Sequence, residues 1–97
     1  MAFWAYLLQC RGGAYYVGHT DDLARRLAEH EAGAVQGFTS FRRPVHLAWS
    51  QAFPTREEAL AAEMQVKRWS RRKKAALAAG DWAGLRAAAR KKFREAE

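Results

Sequence analysis

The sequence predicts a small α+β domain: a three-stranded antiparallel sheet flanked by helices, in the order β-β-α-β-α-α, followed by a C-terminal helix. Phe3 to Cys10 and Ala14 to Gly18 are apolar and aromatic runs separated only by Arg11-Gly12-Gly13, a hairpin signature. Val45 to Phe53 alternates larger apolar residues with smaller or polar ones and supplies a third strand. The intervening and following segments place apolar residues every three or four positions behind capping residues, which is helical spacing.

Phe3 to Cys10 (FWAYLLQC) is apolar at odd and even positions alike, so it is expected to be covered on both faces and central in the sheet. A three-residue loop over 11–13 places Cys10 opposite Ala14 and sends Tyr6 and Tyr16 to one face, Tyr15 to the other. A two-residue Gly-Gly loop would exchange Tyr15 and Tyr16; the three-residue form is preferred. Asp21 or Asp22 caps a helix that runs to about Ala32 and ends at Gly33. Ala34 to Pro44 lacks a period and reads as a surface loop. In the third strand, Val45, Leu47 and Trp49 are expected on the better-buried face, with His46, Ala48 and Ser50 on the other. Thr55 with Glu58 has capping-box spacing, and Ala59, Ala62, Val66 and Trp69 form the stripe of the helix it opens. Gly80 stops the helical stretch and Asp81 caps a last segment with the stripe Trp82, Leu85, Ala89, Phe93. The expected organisation is one folded domain over residues 1–80 and a basic amphipathic helical extension over 81–97.

A chain of 97 residues has room for one modest core. A hydrophobic fraction of 49% with four tryptophans argues against disorder. No apolar run approaches the ~20 residues of a membrane helix. The opening, MAFWAYLLQC, lacks a basic start and a small-residue cleavage site, so a cytoplasmic protein is expected. Cys10 is the sole cysteine, which excludes an internal disulfide and a Cys-based zinc site and fits a small strand residue. The net charge of +7 adds nothing to a fold of this size and predicts polyanionic company, nucleic acid first.

Two features break the apolar patterning. Leu23, Arg26, Leu27 and His30 share one helical stripe, so a guanidinium and an imidazole stand where apolar groups would face the core. Charged groups are seldom buried unless paired, so Arg26 and His30 either sit at the stripe's margin or line a cleft suited to an anion such as phosphate. Glu63 interrupts the stripe of the next long helix. It is either a surface partner of Lys67 at i, i+4 or a carboxylate whose charge is offset by a divalent cation. The run Lys67, Arg68, Arg71, Arg72, Lys73 and Lys74, interleaved with Trp69, is the expected contact for a phosphate backbone. Arg42 and Arg43 are either further phosphate contacts or solvated charges, and His46 is a lone strand histidine with no partner in the pattern.

Tyr6 in Trp4-Ala5-Tyr6, Tyr16-Val17-Gly18 ten residues on, Arg26 ten residues after Tyr16, then His30 and a distant Glu63 together resemble the GIY-YIG nuclease family, above all its short stand-alone bacterial branch. The likeness covers roughly Phe3 to Leu77. Of the first triplet only the tyrosine is kept, and His19 stands where some relatives have lysine. The resemblance implies a metal-dependent endonuclease acting on structured or single-stranded DNA, DNA ahead of RNA, with one magnesium or manganese ion. It implies that Tyr16 or Tyr6 positions and deprotonates the water while the other holds the phosphate. His19, His30 and Arg26 would supply the cationic field that a phenol with a pKa near 10 needs. His30 would also relay the proton, Arg26 would bind phosphoryl oxygens through its donor fork, and Glu63 would fix the metal. A two-metal site would need several converging carboxylates, and Asp21, Asp22, Glu57 and Glu58 are accounted for as helix-start residues. The competing expectation is a non-catalytic nucleic-acid-binding module that keeps the same fold.

Overall fold

In a computed structural model that describes residues 1–35 and 37–84, β1 (Phe3–Cys10), β2 (Tyr15–Thr20) and β3 (Val45–Phe53) form one antiparallel sheet in the order β2-β1-β3. The doubly apolar β1 is the central strand, as its sequence requires. The hairpin loop is the three-residue form: Gln9 pairs with Tyr15, Leu8 with Tyr16, and the Cys10 amide donates to the Ala14 carbonyl at 2.7 Å. The loop itself is a single 3₁₀ turn over Arg11–Gly13, with Gly12 at φ 83° and Gly13 at φ 86°. Side chains rarely tolerate that region, which explains the glycine pair.

Helices cover the sheet on both sides. Leu23 and Leu27 of α1 (Leu23–Glu31) pack on the face carrying Tyr6, Leu8, Cys10 and Val45. Val66 of α2 (Arg56–Lys67) and Leu77 of α3 (Arg71–Ala79) pack on the opposite face against Leu7 and Val17. Each helix starts at a side-chain cap. Asp22 accepts from the Arg25 amide at 3.1 Å, Thr55 from the Glu58 amide at 3.2 Å and Ser70 from the Lys73 amide at 3.2 Å. Such caps are each worth about 1 kcal/mol. Trp69 falls in the link between α2 and α3 rather than on the α2 stripe, yet it still packs against the second core.

The faces of β3 differ from the alternating expectation. Leu8 pairs with Leu47 but Leu7 pairs with Trp49, so Ala48 is an extra residue in a β-bulge. Val45 therefore stays on the α1 face, whereas Trp49 crosses to the side of α2 and α3. Leu47 is left 41% exposed at the step.

Of the C-terminal extension, the start lies within the described residues, the Gly84 amide donating to Asp81 Oδ1 at 2.8 Å. Leu85, Ala89 and Phe93 lie outside them. Among the described residues no helix is long and apolar enough to cross a membrane.

Candidate active site

The β1–β2 register brings two phenols to one face. Tyr6 pairs with Gly18 and Tyr16 with Leu8, leaving the Tyr6 and Tyr16 rings 6.3 Å apart between centroids. The Tyr6 phenol lies across Gly18: a Cβ built there would stand 2.5 Å from the Tyr6 hydroxyl and 2.6 Å from Cζ. Glycine is thus required by close approach, not by a left-handed backbone.

Helix α1 delivers His30 and Arg26 to the same face. His30 is fully buried, with its ring 5.0 Å from that of Tyr16 and 5.8 Å from that of Tyr6. Its Nε2 shares a 3.0 Å hydrogen bond with the Tyr6 hydroxyl, and its Nδ1 a 2.8 Å bond with Thr39 Oγ1. Burial pushes the Tyr6 phenol up to about 12, against the lowering influence of the Arg26 guanidinium beside it; Tyr16 and Glu63 push in the same direction as burial. Burial, then the Arg26 charge, holds the His30 imidazole below its ordinary range, so it is neutral at pH 7. Arg26 keeps its charge, held chiefly by its contact with Tyr6, and its Nη1 lies 3.3 Å from Glu29 Oε1. Its side chain is 36% exposed, which leaves part of the donor fork facing outward.

Glu63 comes from α2, on the far side of the sheet, yet reaches this group through the edge strand. Gly18 and His19 are neighbours on β2 and point to opposite faces. Tyr6 lies over the first, while Glu63 Oε1 lies 3.1 Å from Nδ1 of the second. The Glu63 side chain is 14% exposed and its charge is felt at the Tyr6 phenol. The carboxylate is therefore turned to His19, and among the described residues no Glu63–Lys67 ion pair forms.

No group of three or more His, Cys, Asp or Glu side chains converges as a metal cage among the described residues. The donor set instead offers the hard carboxylate of Glu63 beside the His19 imidazole. That suits a magnesium-type ion, which keeps several waters and takes one or two carboxylates together with substrate phosphate.

The basic residues divide. Lys67, Arg68 and Arg72 are exposed and Lys74 is half-buried. Arg71 lies over the Tyr15 ring, 5.7 Å from its centroid, and against Gly13, bracing the hairpin turn. Lys73 lies 4.3 Å from the Trp69 ring centroid. Arg42 and Arg43 are neither free nor simply solvated. Arg42 stacks 4.0 Å from the Phe38 ring centroid and donates to the Phe38 carbonyl at 2.8 Å, and Arg43 covers Gly33 and donates to the Glu31 carbonyl at 3.4 Å. His46 is exposed opposite Gln9, away from the site.

Two residues of the site have no signal in the sequence. Thr39, 1% exposed, and Phe38, whose ring lies 6.2 Å from that of Tyr16, belong to the stretch that reads as surface loop. The available clue is indirect: a buried imidazole has two polar nitrogens, and Tyr6 satisfies one.

A family profile described as the GIY-YIG catalytic domain matches residues 2–76, a span that contains Tyr6, Tyr16, His19, Arg26, His30 and Glu63. The UPF0213 protein Reut_B5558 of Cupriavidus pinatubonensis is 44% identical over 77 residues, covering 79% of this chain and 86% of that protein. A UPF0213 protein of Streptococcus pneumoniae serotype 4 is 46% identical over 69 residues, covering 71% of this chain and 70% of that protein. The solution NMR structure of the UPF0213 protein BH0048 from Bacillus halodurans is similar, with a TM-score of 0.52 at 40% identity, covering 81% of this chain and 84% of that one.

Proposed function

This chain belongs to the GIY-YIG nuclease family, and from that premise we propose that it is a metal-dependent endonuclease hydrolysing phosphodiester bonds in structured or single-stranded DNA. The observation that carries the reading is the meeting, at Gly18 and His19 of one edge strand, of a phenol–imidazole pair and a carboxylate reached from opposite faces of the sheet.

Phosphodiester hydrolysis needs a nucleophilic water, neutralisation of the phosphoryl oxygens and stabilisation of the leaving oxygen. Arg26 presents a charged, half-exposed donor fork to the phosphoryl oxygens. Tyr16, only half-buried, touches the phosphate and orients the water. Tyr6 handles the proton: it takes one from the water as its own passes to His30 Nε2, leaving an imidazolium and a hydroxide equivalent. In the free protein that transfer is uphill, because the phenol is held high and the imidazole low. An anionic phosphate at Arg26 shifts the balance by favouring a cationic His30, so proton transfer is coupled to substrate binding. Glu63 holds the magnesium or manganese ion, with His19 orienting the carboxylate. Such an ion, when bound, supplies Lewis-acid neutralisation of charge on the phosphoryl and leaving oxygens. Lys67, Arg68, Arg72 and Lys74 contact the DNA backbone, while Arg71 and Lys73 brace the surface that carries them and Arg42 and Arg43 hold the loop beside Tyr16. The domain doing this work is residues 1–80, with 81–97 an extension to it.

The test is a nicking assay on branched, single-stranded and duplex DNA with magnesium and with manganese. Glu63→Ala is expected to lose at least ~100-fold in rate, about 2.7 kcal/mol of barrier, with DNA binding intact. Tyr16→Phe is also expected to slow cleavage. Variants that cut as fast as wild type would sink the site assignment. Tight, salt-sensitive binding with no cleavage under either metal would identify a binding module instead.

A further inference from the structure

We propose that Thr39 is a positioning residue that fixes the His30 imidazole as its Nδ1–H tautomer, so that the Nε2 lone pair faces the Tyr6 hydroxyl. The inference rests on the nuclease reading only for its kinetic consequence; the tautomer follows from which of two flanking hydroxyls, Tyr6 or Thr39, is the stronger donor to the ring.

Tyr6 is 1% exposed and its hydroxyl proton needs an acceptor. Among the described residues the His30 Nε2 lies 3.0 Å from the Tyr6 oxygen, and the other group acting on the phenol from close by is the Arg26 guanidinium. A guanidinium has donors and no acceptor, so the phenolic proton points to Nε2. Nε2 is then the unprotonated nitrogen of a neutral ring, and Nδ1 carries the hydrogen. That hydrogen is buried as well, and the Thr39 hydroxyl oxygen accepts it at 2.8 Å from a residue 1% exposed. The chain of bonds runs from Tyr6 O–H to Nε2, then from Nδ1–H to Thr39. Each arrangement leaves one hydroxyl proton without an acceptor among the described residues, that of Thr39 here and that of Tyr6 with hydrogen on Nε2. A phenol with an ordinary pKa of about 10 is a much stronger donor than an aliphatic alcohol, so the arrangement that satisfies Tyr6 is favoured.

Thr39 is held for this task by its loop. Its carbonyl accepts from the Arg42 amide at 3.1 Å, and the neighbouring Phe38 lies between Tyr16 and the Arg42 guanidinium. A hydroxyl also differs from the carboxylate that orients many catalytic histidines: being uncharged, it leaves the imidazole weakly basic until an anion arrives.

Long-range nitrogen–proton NMR correlation on the uniformly labelled protein reads the tautomer of each of its three histidines directly. Wild-type His30 is expected as Nδ1–H, and Thr39→Ser as the same. Thr39→Val, close in shape but without an acceptor, is expected to lose that single tautomer and to lower kcat about tenfold with KM little changed, a split that marks a fault in proton handling rather than in binding. Finding His30 as Nε2–H in wild type overturns the proposal even if the valine variant fails to fold. So does a Thr39→Val protein with the tautomer unaltered. If wild type cuts no DNA, the nuclease reading falls while the tautomer measurement still decides the role of Thr39.

Discussion

Replacing Gly18 by alanine isolates the contact on which the site is built. The added Cβ would stand 2.5 Å from the Tyr6 hydroxyl and 2.6 Å from Cζ, where ordinary contact begins near 3.4 Å. The phenol must therefore move by roughly 0.9 Å, the difference between those two distances. It has nowhere easy to go: Tyr6 is 1% exposed, packed on Leu8, and bonded to a fully buried His30. A displacement of that size takes the 3.0 Å Tyr6–His30 bond beyond bonding range. Overpacking costs about 1–3 kcal/mol and a lost buried hydrogen bond about 1 kcal/mol more. Against this, Gly18 is outside the left-handed region, so alanine recovers about 0.4–1 kcal/mol by restricting the unfolded chain. The net expectation is about 1–3 kcal/mol of destabilisation, read as a fall in the urea midpoint of about 1–3 M at a slope near 1 kcal/mol/M. Adding Tyr6→Phe removes the atom at 2.5 Å but leaves Cζ at 2.6 Å, so the double variant should recover only part of the loss. A Gly18→Ala protein as stable as wild type, with the Tyr6–His30 bond retained, would refute the close-approach argument.

The pH profile of stability tests the same pair from both sides. Below pH about 6.5 the unfolded chain takes up a proton that buried His30 refuses, so the unfolded state binds more protons and the urea midpoint should fall as pH drops toward 5. Above pH about 10 the unfolded phenol ionises while Tyr6 holds its proton up to about 12, so stability should fall again in that window, and one of the three tyrosines should titrate late by ultraviolet absorbance. A profile flat through both windows would show that the pair is not desolvated. For nucleic-acid contact, Arg72→Ala should lower the log–log salt slope of DNA binding by about 0.9, whereas Arg71→Ala, which removes a brace from Tyr15 and the hairpin turn, should register as lost stability as well.

The register of β1 and β2 was legible as a choice between two hairpin loops, and the preferred three-residue form, which the structure adopts, puts Tyr6 and Tyr16 on a common face. The stripe of α1 was legible too, since Leu23 and Leu27 had to face the sheet and carried Arg26 and His30 with them. What escaped the sequence depends on contacts distant along the chain. The bulge at Ala48 sends Trp49 to the far face, and a period-2 pattern has no means of announcing an inserted residue. Glu63 read equally well as a surface partner of Lys67, and only the packing of α2 against the β2 edge turns it to His19, 44 positions away. Thr39 is the instructive case, because its burial follows from an unmet need elsewhere: His30, once buried, has a second nitrogen to satisfy, and the nearest residue able to do so lies in a loop with no period of its own. A polar residue forced into a core thus predicts a partner without naming it, and the loops beside such residues are where that partner should be sought.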